Sequence, residues 1–395
     1  MSEVLVVNTG SSSLKYQLVD AQTEEWLAKG LIERIGERNS RLVHDVRGGS
    51  TIEQVADLPD HAEALTVMLA TFEETGQSLT RIAAVGHRVV HGGPDYREPV
   101  VIDDTVLEAI AGLIPLAPLH NPAAVIGIRD MRRLLPSVPN VAVFDTAFHA
   151  TMPAEAYTYA IPRDLAEQHR IRKYGFHGTS YRYVTRKTAE HLQVPVDEVN
   201  LIVAHLGNGA SMAAIRGGES VDTTMGLTPL QGLVMGTRSG DIDPAVVFQL
   251  EAVAGLSSAQ IDLMLNKSSG LKGLAGHQDM REVRRRSTEG DADARRAIDV
   301  YAYRIRSYVG AYLAAVPDLH ALVFTAGIGE NDSDLRGDVC RPLGHLGITL
   351  DEGRNTAAES GLRTISVDGA QVQVLVVPTN EEAEIARQSA LAVSA

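Results

Sequence analysis

Six side chains of this sequence lie where strand-like runs end or where glycines turn the chain, and together they suit phosphoryl transfer. The hydrogen-bond donors are Arg88, His177, His205 and Arg238, and the carboxylates are Asp145 and Glu381. A transferring phosphoryl group needs donors around its oxygens, and its nucleotide needs carboxylates that hold Mg²⁺ on the phosphates. The combination, rather than any single residue, indicates this chemistry.

Taken singly, these residues also have structural interpretations. Asp145, in FDTAFH, would cap a turn at the end of a strand. Arg238 would pair with Asp241 or Asp243 in the turn GTRSGDIDP. Glu381 would complement the dipole of the helix that it opens.

Histidines are assigned from the residues around them. His87 and His91 are four apart, which suits a metal on a helix face, but their surroundings, AVGHRVVHGG, predict the end of a strand. In YGFHGTS, His177 precedes a helix for which Thr179 or Ser180 would be the cap. Backbone N–H groups at such a helix start favour an anion.

Three loops rich in small residues follow buried strands. VVNTGSSSLK near the start and HLGNGAS at 205–211 each lead into a second strand, whereas FTAGIGEN at 324–331 leads to no hairpin. The glycines let the backbone approach a ligand closely, although plain hairpin turns use the same residues. Because the first loop lacks the phosphate-loop pattern that precedes a helix, it would hold an anion in another way.

Strand-like runs alternate with amphipathic helices, which predicts an α/β fold. HNPAAVIGIRDMRRLLP predicts a helix with an Asn-Pro cap at Asn121 that stops before Pro136. The two strand–turn–strand segments, half a chain apart, predict a duplicated domain with a ligand in the cleft between the halves. We place the domains at 1–150 and 151–380, with the helix at about 381–395 able to pack on the first.

Composition limits the class of protein. The 395 residues include one cysteine and carry a formal net charge of −14, which argues against nucleic acid or an anionic membrane as the main partner but allows a local basic pocket. No apolar run approaches the roughly 18 residues of a membrane span, and no secretory signal begins the chain. We therefore expect a soluble cytoplasmic protein.

Nine ordered motifs resemble the acetate kinase family over residues 4 to about 386. They are VVNTGSSSLK, GHRVVHGG, PLHNP, FDTAFH, YGFHGTS, HLGNGAS, GLTPLQGLVMGTRSGDIDP, AGIGEN and PTNEE. The resemblance implies the duplicated fold shared by actin, sugar kinases and chaperone ATPases. It also implies Mg-dependent, reversible in-line transfer of the γ-phosphoryl group of ATP to acetate, giving acetyl phosphate and ADP.

The resemblance assigns the catalytic residues one by one. Arg88 and Arg238 match the arginines that bind the carboxylate substrate and the transferring phosphoryl group. His177 matches the histidine that donates to the transition state, and Asp145 the catalytic aspartate. The nucleophile is the substrate carboxylate, which has a pKa near that of a glutamate, about 4.3, and is already ionised at neutral pH. Because it needs no general base, we expect Asp145 to orient an arginine or Mg²⁺-bound water.

The resemblance also assigns binding residues. Asn8 and Glu381 lie on the side of Mg²⁺, for which Mn²⁺ is an alternative, and Lys15 faces the nucleotide phosphates. The remaining nucleotide-binding residues are His205, Leu206, Gly207, Asn208, Gly209, Asp279, Met280, Arg281, Gly327, Ile328, Gly329, Glu330 and Asn331. The acyl pocket is formed by Val90, Leu119, Phe176 and Pro229, which suits acetate first and propionate second.

The same residues allow other functions. A propionate kinase fits the same motifs and a butyrate kinase fits them less well. A non-catalytic nucleotide switch would not need Arg88, Arg238 and His177, and a sugar kinase would need a polar pocket. The family suggests a homodimer, for which the residues alone indicate no surface.

Overall fold

The computed structural model describes residues 2–79, 82–118 and 120–394. The chain divides into two compact units. The first comprises the described residues up to Phe148 together with those from Asn380 onward, and the second comprises His149–Thr379. In the described part of the chain, no helix combines the length and the apolar character of a membrane span.

Within the described residues, the first unit is built on an eight-stranded mixed sheet. Its strands are β1 (Glu3–Thr9), β2 (Ser13–Asp20), β3 (Trp26–Glu33), β4 (Ser40–Val46), β5 (Thr51–Ala56), β6 (Ala84–Val89), β7 (Val100–Val101) and β8 (Asn140–Phe144). The spatial order is β5-β4-β3-β2-β1-β6-β8-β7. β1 is antiparallel to β2 and parallel to β6, which is parallel to β8.

Helices cover both faces of this sheet. They are α1 (His61–Glu74), α2 (Asp104–Gly112), α3 (Asn121–Leu134) and the last helix of the chain, α15 (Glu381–Ser394). Because side chains alternate along a strand, β1 sends Leu5 and Val7 into the cluster that includes Met68 of α1. Val4 and Val6 enter the opposite cluster, which contains Ile385 of α15.

The second unit repeats this plan in a six-stranded sheet, counted over the described residues. Its strands are β9 (Leu201–Leu206), β10 (Ala210–Arg216), β11 (Glu219–Thr223), β12 (Ala321–Thr325), β13 (Arg363–Thr364) and β14 (Gln373–Val376), in the order β11-β10-β9-β12-β14-β13. β9 is antiparallel to β10 and parallel to β12, and β12 is parallel to β14. The predicted hairpins at VVNTGSSSLK and HLGNGAS are therefore confirmed as β1–β2 and β9–β10.

Several helices of the second unit contact its sheet. The helices of this unit are α4 (Ala154–Tyr157), α5 (Arg163–Gln168), α6 (Gly178–Leu192), α7 (Ala245–Ala254), α8 (Ser258–Lys267), α9 (Gly270–Ala275), α10 (Met280–Thr288), α11 (Ala292–Ala315), α12 (Ala326–Asn331), α13 (Ser333–Cys340) and α14 (Glu352–Thr356). Short 3₁₀ turns occupy Ile114–Leu116, Ala147–Thr151 and Arg341–Leu346. FTAGIGEN passes directly from β12 into α12, as its lack of a hairpin signal indicated.

The helix predicted from HNPAAVIGIRDMRRLLP is confirmed as α3, but its predicted cap is wrong. Asn121 is the first residue of α3 and is completely buried. Its amide donates to the carbonyl of His91 at 3.2 Å and accepts from the backbone N–H of the same residue at 3.3 Å. Asn121 therefore ties the loop after β6 to α3.

The two histidines of GHRVVHGG bind protein groups. His87 lies within β6, where its Nε2 donates to the amide oxygen of Asn140 at 2.7 Å, and burial lowers the pKa of His87 to about 4. His91 accepts the backbone N–H of Gly93 at its Nδ1, at 2.9 Å. Their bonds fix β6 and the loop that follows it.

Candidate functional site

In the first unit, Arg88 and Asp145 meet at one edge of the sheet. Arg88 is near the end of β6 and Asp145 directly follows β8; the two strands are parallel, so their carboxyl ends lie side by side. The Asp145 carboxylate accepts from Arg88 Nη2 at 2.7 Å and from its Nε at 3.0 Å. The first residue of α15, Glu381, lies 3.2 Å from the other terminal nitrogen, Nη1.

These contacts decide the charges of the cluster. Burial opposes the charge of Arg88, but Asp145 and Glu381 outweigh it and raise the pKa of the guanidinium above its ordinary value. Burial raises the pKa of the Glu381 carboxyl, against the attraction of Arg88. Arg88 is therefore a permanent cation held in place by two carboxylates.

A second ion pair lies at the mouth of the first hairpin. Asn8 and Lys15 face each other across β1 and β2, and the Lys15 ammonium donates to Glu382. Sequence reasoning selected Glu381 alone from PTNEE and missed Glu382. The adjacent second glutamate was the available signal, but its partner is 367 residues away in the chain.

In the second unit, His177 and His205 stack with their ring centroids 4.2 Å apart and their planes 20° apart. His177 hydrogen-bonds through Nδ1 with the Ser211 hydroxyl at 2.9 Å, and His205 Nδ1 with the Ser180 hydroxyl at 2.8 Å. These bonds fix both rings, and leave each tautomer to be set by a hydroxyl group. The Ser180 hydroxyl also bonds with that of Thr379 at 2.7 Å.

The expected cap of α6 is wrong. The residue that precedes the helix is His177 itself, in the left-handed region with φ 59°, and it makes no side-chain cap. Thr179 and Ser180 lie inside the first turn, where the Ser180 hydroxyl binds His205. A non-glycine residue seldom adopts this backbone conformation, and such residues concentrate at functional sites.

Arg238 and His177 converge beside the second hairpin. A methyl group built on Gly209 would lie 3.5 Å from His177 Nε2 and 3.6 Å from Arg238 Nη1. The missing side chain of Gly209 thus leaves a space that both donors border. An oxyanion in that space would receive hydrogen bonds from two sides.

The surroundings of Arg238 differ from those of Arg88. Its Nη1 donates to the carbonyl of Pro229 at 3.1 Å, and among the described residues it makes no ion pair. Asp241 and Asp243, the partners that the sequence left open, instead accept backbone N–H groups of Gly232 and Ala245. Burial without counter-charge lowers the pKa of the Arg238 guanidinium from its ordinary value.

A cavity of about 910 Å³ lies within the second unit. The predicted nucleotide-binding residues that line it are Gly207, Asn208, Asp279, Met280, Arg281, Gly327, Ile328 and Asn331. Sequence reasoning missed other lining residues, including Arg284, Arg285 and Thr288 of α10. Their spacing of three, four and seven residues from Arg281 was the available signal, because residues so spaced share one face of a helix.

The other predicted nucleotide residues are not among those that line the cavity. Leu206 and Gly329 are buried, and Gly209 borders the space beside His177. His205 stacks on His177, as described above. The Glu330 carboxylate accepts the backbone N–H of Thr379 at 3.2 Å, and burial raises the pKa of Glu330.

Among the residues that line the cavity, Asp279 caps α10 and pairs with Arg281, whose hydrogen bonds lower the pKa of Asp279 to about 2.

Three of the four residues of the predicted acyl pocket are described in the structure, and all three are at least partly buried. Val90 directly follows β6 and is half-buried, Phe176 is buried, and Pro229 is half-buried. The Phe176 carbonyl accepts from His149 Nε2 at 2.9 Å, which fixes the residue before His177. Leu119 lies outside the described residues.

Fold and site together define a phosphotransferase of the actin-like class, with two duplicated α/β domains. The model of the acetokinase family matches residues 3–387, and the chain belongs to that family. A curated acetate kinase of Leifsonia xyli is 58% identical over the full length of both chains.

Solved structures of short-chain acyl kinases share the fold of this chain over nearly its whole length. The acetate kinase of Porphyromonas gingivalis is 42% identical, with a TM-score of 0.95 over 99% of this chain and 100% of that one. A propionate kinase of Francisella tularensis is 43% identical, with a TM-score of 0.93 over 98% and 99%.

Removal of Arg88 tests the charge balance of its cluster. Arg88→Ala removes the guanidinium that pairs with both carboxylates and should lower the free energy of unfolding at neutral pH by about 3–5 kcal/mol. An acid whose pKa is raised in the folded state favours folding when protonated. The penalty should therefore shrink as the pH falls through the raised pKa of Glu381.

Urea unfolding at neutral pH and at about pH 5 measures both effects. Arg133→Ala is the control, because the side chain of Arg133, which pairs with Asp130, is 66% exposed. It should cost no more than about 1 kcal/mol at either pH. Equal penalties for the two variants, or a penalty for Arg88→Ala that does not change with pH, would contradict this balance.

Proposed function

We propose that the chain catalyses the reversible, in-line transfer of the γ-phosphoryl group of ATP to acetate, which gives acetyl phosphate and ADP. The observation that carries this proposal is Arg238, a partly buried cation with no ion pair among the described residues. Such a charge is best satisfied by an anionic ligand. The curated relatives, named acetate kinases at 50–58% identity, favour acetate over propionate as the acceptor.

The chemistry requires two anions to approach each other. Arg88 and Arg238 would neutralise the acceptor carboxylate and the transferring phosphoryl group, because each offers directed donors. His177 Nε2 would donate to a phosphoryl oxygen in the space beside Gly209. Donors aimed at the charge that develops in the transition state supply much of the rate acceleration of phosphoryl transfer.

Asp145 would act on Arg88 and not on the substrate proton. Acetate is already ionised at neutral pH, so its attack on phosphorus needs no general base. The three hydrogen bonds between the Asp145 carboxylate and Arg88, at 2.7, 3.0 and 3.2 Å, support an orienting role.

A divalent cation would accompany the nucleotide phosphates, and we propose Mg²⁺, with Mn²⁺ as an alternative. Asn8 and Glu381 would lie on its side of the site. Their donor atoms are oxygens, which both ions prefer, and the Glu381 and Asp145 carboxylates lie on one guanidinium. When bound, the cation would neutralise charge on the phosphates.

ATP would place its adenosine in the cavity bordered by Met280 and Ile328, where apolar surface is available to the base. The glycine turn of β9–β10 would follow the phosphates, and Lys15 would face them from the first hairpin. Val90, Leu119, Phe176 and Pro229 would enclose the methyl group of acetate. One additional methylene in such a pocket changes binding by only about 1–3 kcal/mol.

A hydroxamate assay with purified protein, Mg-ATP and, in separate reactions, acetate, propionate and butyrate tests the proposal. Acetate should give the highest kcat/KM, and each added methylene should lower it by roughly 10- to 200-fold. A preference for propionate would reassign the acceptor. No acyl phosphate from any acid, with ATP still bound, would instead indicate a nucleotide switch.

We further propose a homodimer that forms through α7 and α8. No residue of α7 is buried, although only Gln249 and Glu251 among its ten residues are polar. Phe248 is 67% and Val253 74% exposed, and Leu263 of the adjacent α8 is 60% exposed. An apolar surface of this kind is typical of a protein interface.

We also propose a cytoplasmic location, with which the single, buried Cys340 is consistent.

Phe248→Glu should convert the dimer to a monomer, because it would place a charge in the apolar contact on both copies. Size-exclusion chromatography with light scattering measures the mass. Leu391→Glu is the control, since Leu391 is 57% exposed on α15 in the other unit, and that variant should stay dimeric. A monomeric wild type, or a dimeric Phe248→Glu, would contradict the proposed surface.

A further inference from the structure

The loop that carries Arg238 closes on itself at Asp241. The backbone N–H of Asp241 donates to the carbonyl of Gly232 at 2.9 Å, and the N–H of Gly232 donates to the Asp241 carboxylate at 3.0 Å. Residues 232–241 therefore form a closed loop. Within it, the N–H of Met235 donates to the carbonyl of Arg238 at 3.1 Å, so the arginine backbone is tied to the same frame.

The closure is connected to a distant helix. The hydroxyl of Tyr308, on the 24-residue helix α11, donates to the second oxygen of the Asp241 carboxylate, 67 residues away in the chain. Burial, and then the bond to Asp241, raise the pKa of the Tyr308 phenol, which keeps it a donor. One carboxylate thus joins the base of the loop to α11, and we call this contact the Tyr308–Asp241 clamp.

The base of the loop has little freedom to adjust. Gly232 has a φ of 105°, and a side chain there would lie 2.7 Å from the carbonyl oxygen of Thr224. The backbone of this glycine is therefore packed directly against Thr224 of the same chain. If the Asp241 contact were lost, the backbone N–H of Gly232 would lose its carboxylate acceptor at the base of the loop that holds Arg238.

We infer that Tyr308 and Asp241 are positioning residues, which hold the Arg238 loop in the geometry that phosphoryl transfer requires. The inference rests on the proposed function of Arg238. A small displacement of a group that acts in the transition state costs rate far more than it costs substrate binding. Loss of the clamp should therefore lower kcat and leave the KM for ATP nearly unchanged.

Two matched variants on α11 test this. Tyr312 lies one turn beyond Tyr308 on α11 and is fully buried, but within the described residues its hydroxyl makes no hydrogen bond. Tyr308→Phe should lower kcat by about 10-fold or more, with the KM for ATP within about twofold of the wild type. Tyr312→Phe, which also removes one buried oxygen, should leave kcat unchanged.

Substitution of Asp241 gives a second, independent readout. In Asp241→Asn the side-chain oxygen still accepts from Gly232, and the amide nitrogen donates to the Tyr308 hydroxyl, so both contacts persist with one reversed. Asp241→Asn should retain most of kcat, whereas Asp241→Ala should lose at least as much as Tyr308→Phe. A purely structural role would lower thermal stability without this difference in kcat.

The outcomes separate the two claims. If the wild type forms acyl phosphate but Tyr308→Phe and Tyr312→Phe behave alike, the clamp is wrong and the proposed function stands. If Asp241→Asn is as impaired as Asp241→Ala, the clamp is wrong as well. If the wild type forms no acyl phosphate, the proposed function fails first.

Discussion

A guanidinium group that is withdrawn from water needs negative charge or hydrogen-bond acceptors nearby, and the arrangement of this chain around its two site arginines follows from that need. Arg88 is balanced inside the protein by Asp145 and Glu381. Arg238 has only the Pro229 carbonyl and the Met235 sulfur as hydrogen-bond acceptors among the described residues, together with a lowered pKa. Arg88 is thus fixed in position by two carboxylates. Arg238 has only neutral acceptors among the described residues, so its charge is available for a substrate anion.

The duplicated fold explains how such residues reach their places. In each unit an antiparallel hairpin runs beside parallel strands, so that small-residue turns and strand ends collect at one edge of the sheet. The first unit uses this edge to bring together β6, β8 and the start of α15, which arrive from distant parts of the chain. The second uses it to place the glycine turn of β9–β10 beside His177 and Arg238.

Local features of the site could be predicted from the sequence. The two hairpins and α3 have turn residues or apolar periodicity that act over a few residues, and these elements are confirmed. Arg88 near the end of β6 and Asp145 directly after β8 lie at strand ends, as the sequence predicts, while their catalytic roles stay predictions. Val90 and Pro229 remain predicted members of an acyl pocket.

Contacts between distant residues could not be predicted in this way. The left-handed backbone of His177 and the pairing of Ser180 with His205 depend on the packing of α6 against β9. The clamp from Tyr308 to Asp241 spans 67 residues, and a single sequence carries no signal that links the two. Periodicity shows which face of α11 is buried, but not which tyrosine hydroxyl on that face finds an acceptor.

The most direct test of the central claim is the affinity for acetyl phosphate, measured by titration calorimetry, of the wild type and Arg238→Gln. A hydrogen bond to a charged group contributes about 1.5–3 kcal/mol, so the variant should bind about 10- to 100-fold more weakly. Arg133→Gln, which changes an exposed arginine, should match the wild type. Equal affinity in wild type and Arg238→Gln would mean that the unbalanced charge of Arg238 does not serve the substrate, and the account would be wrong.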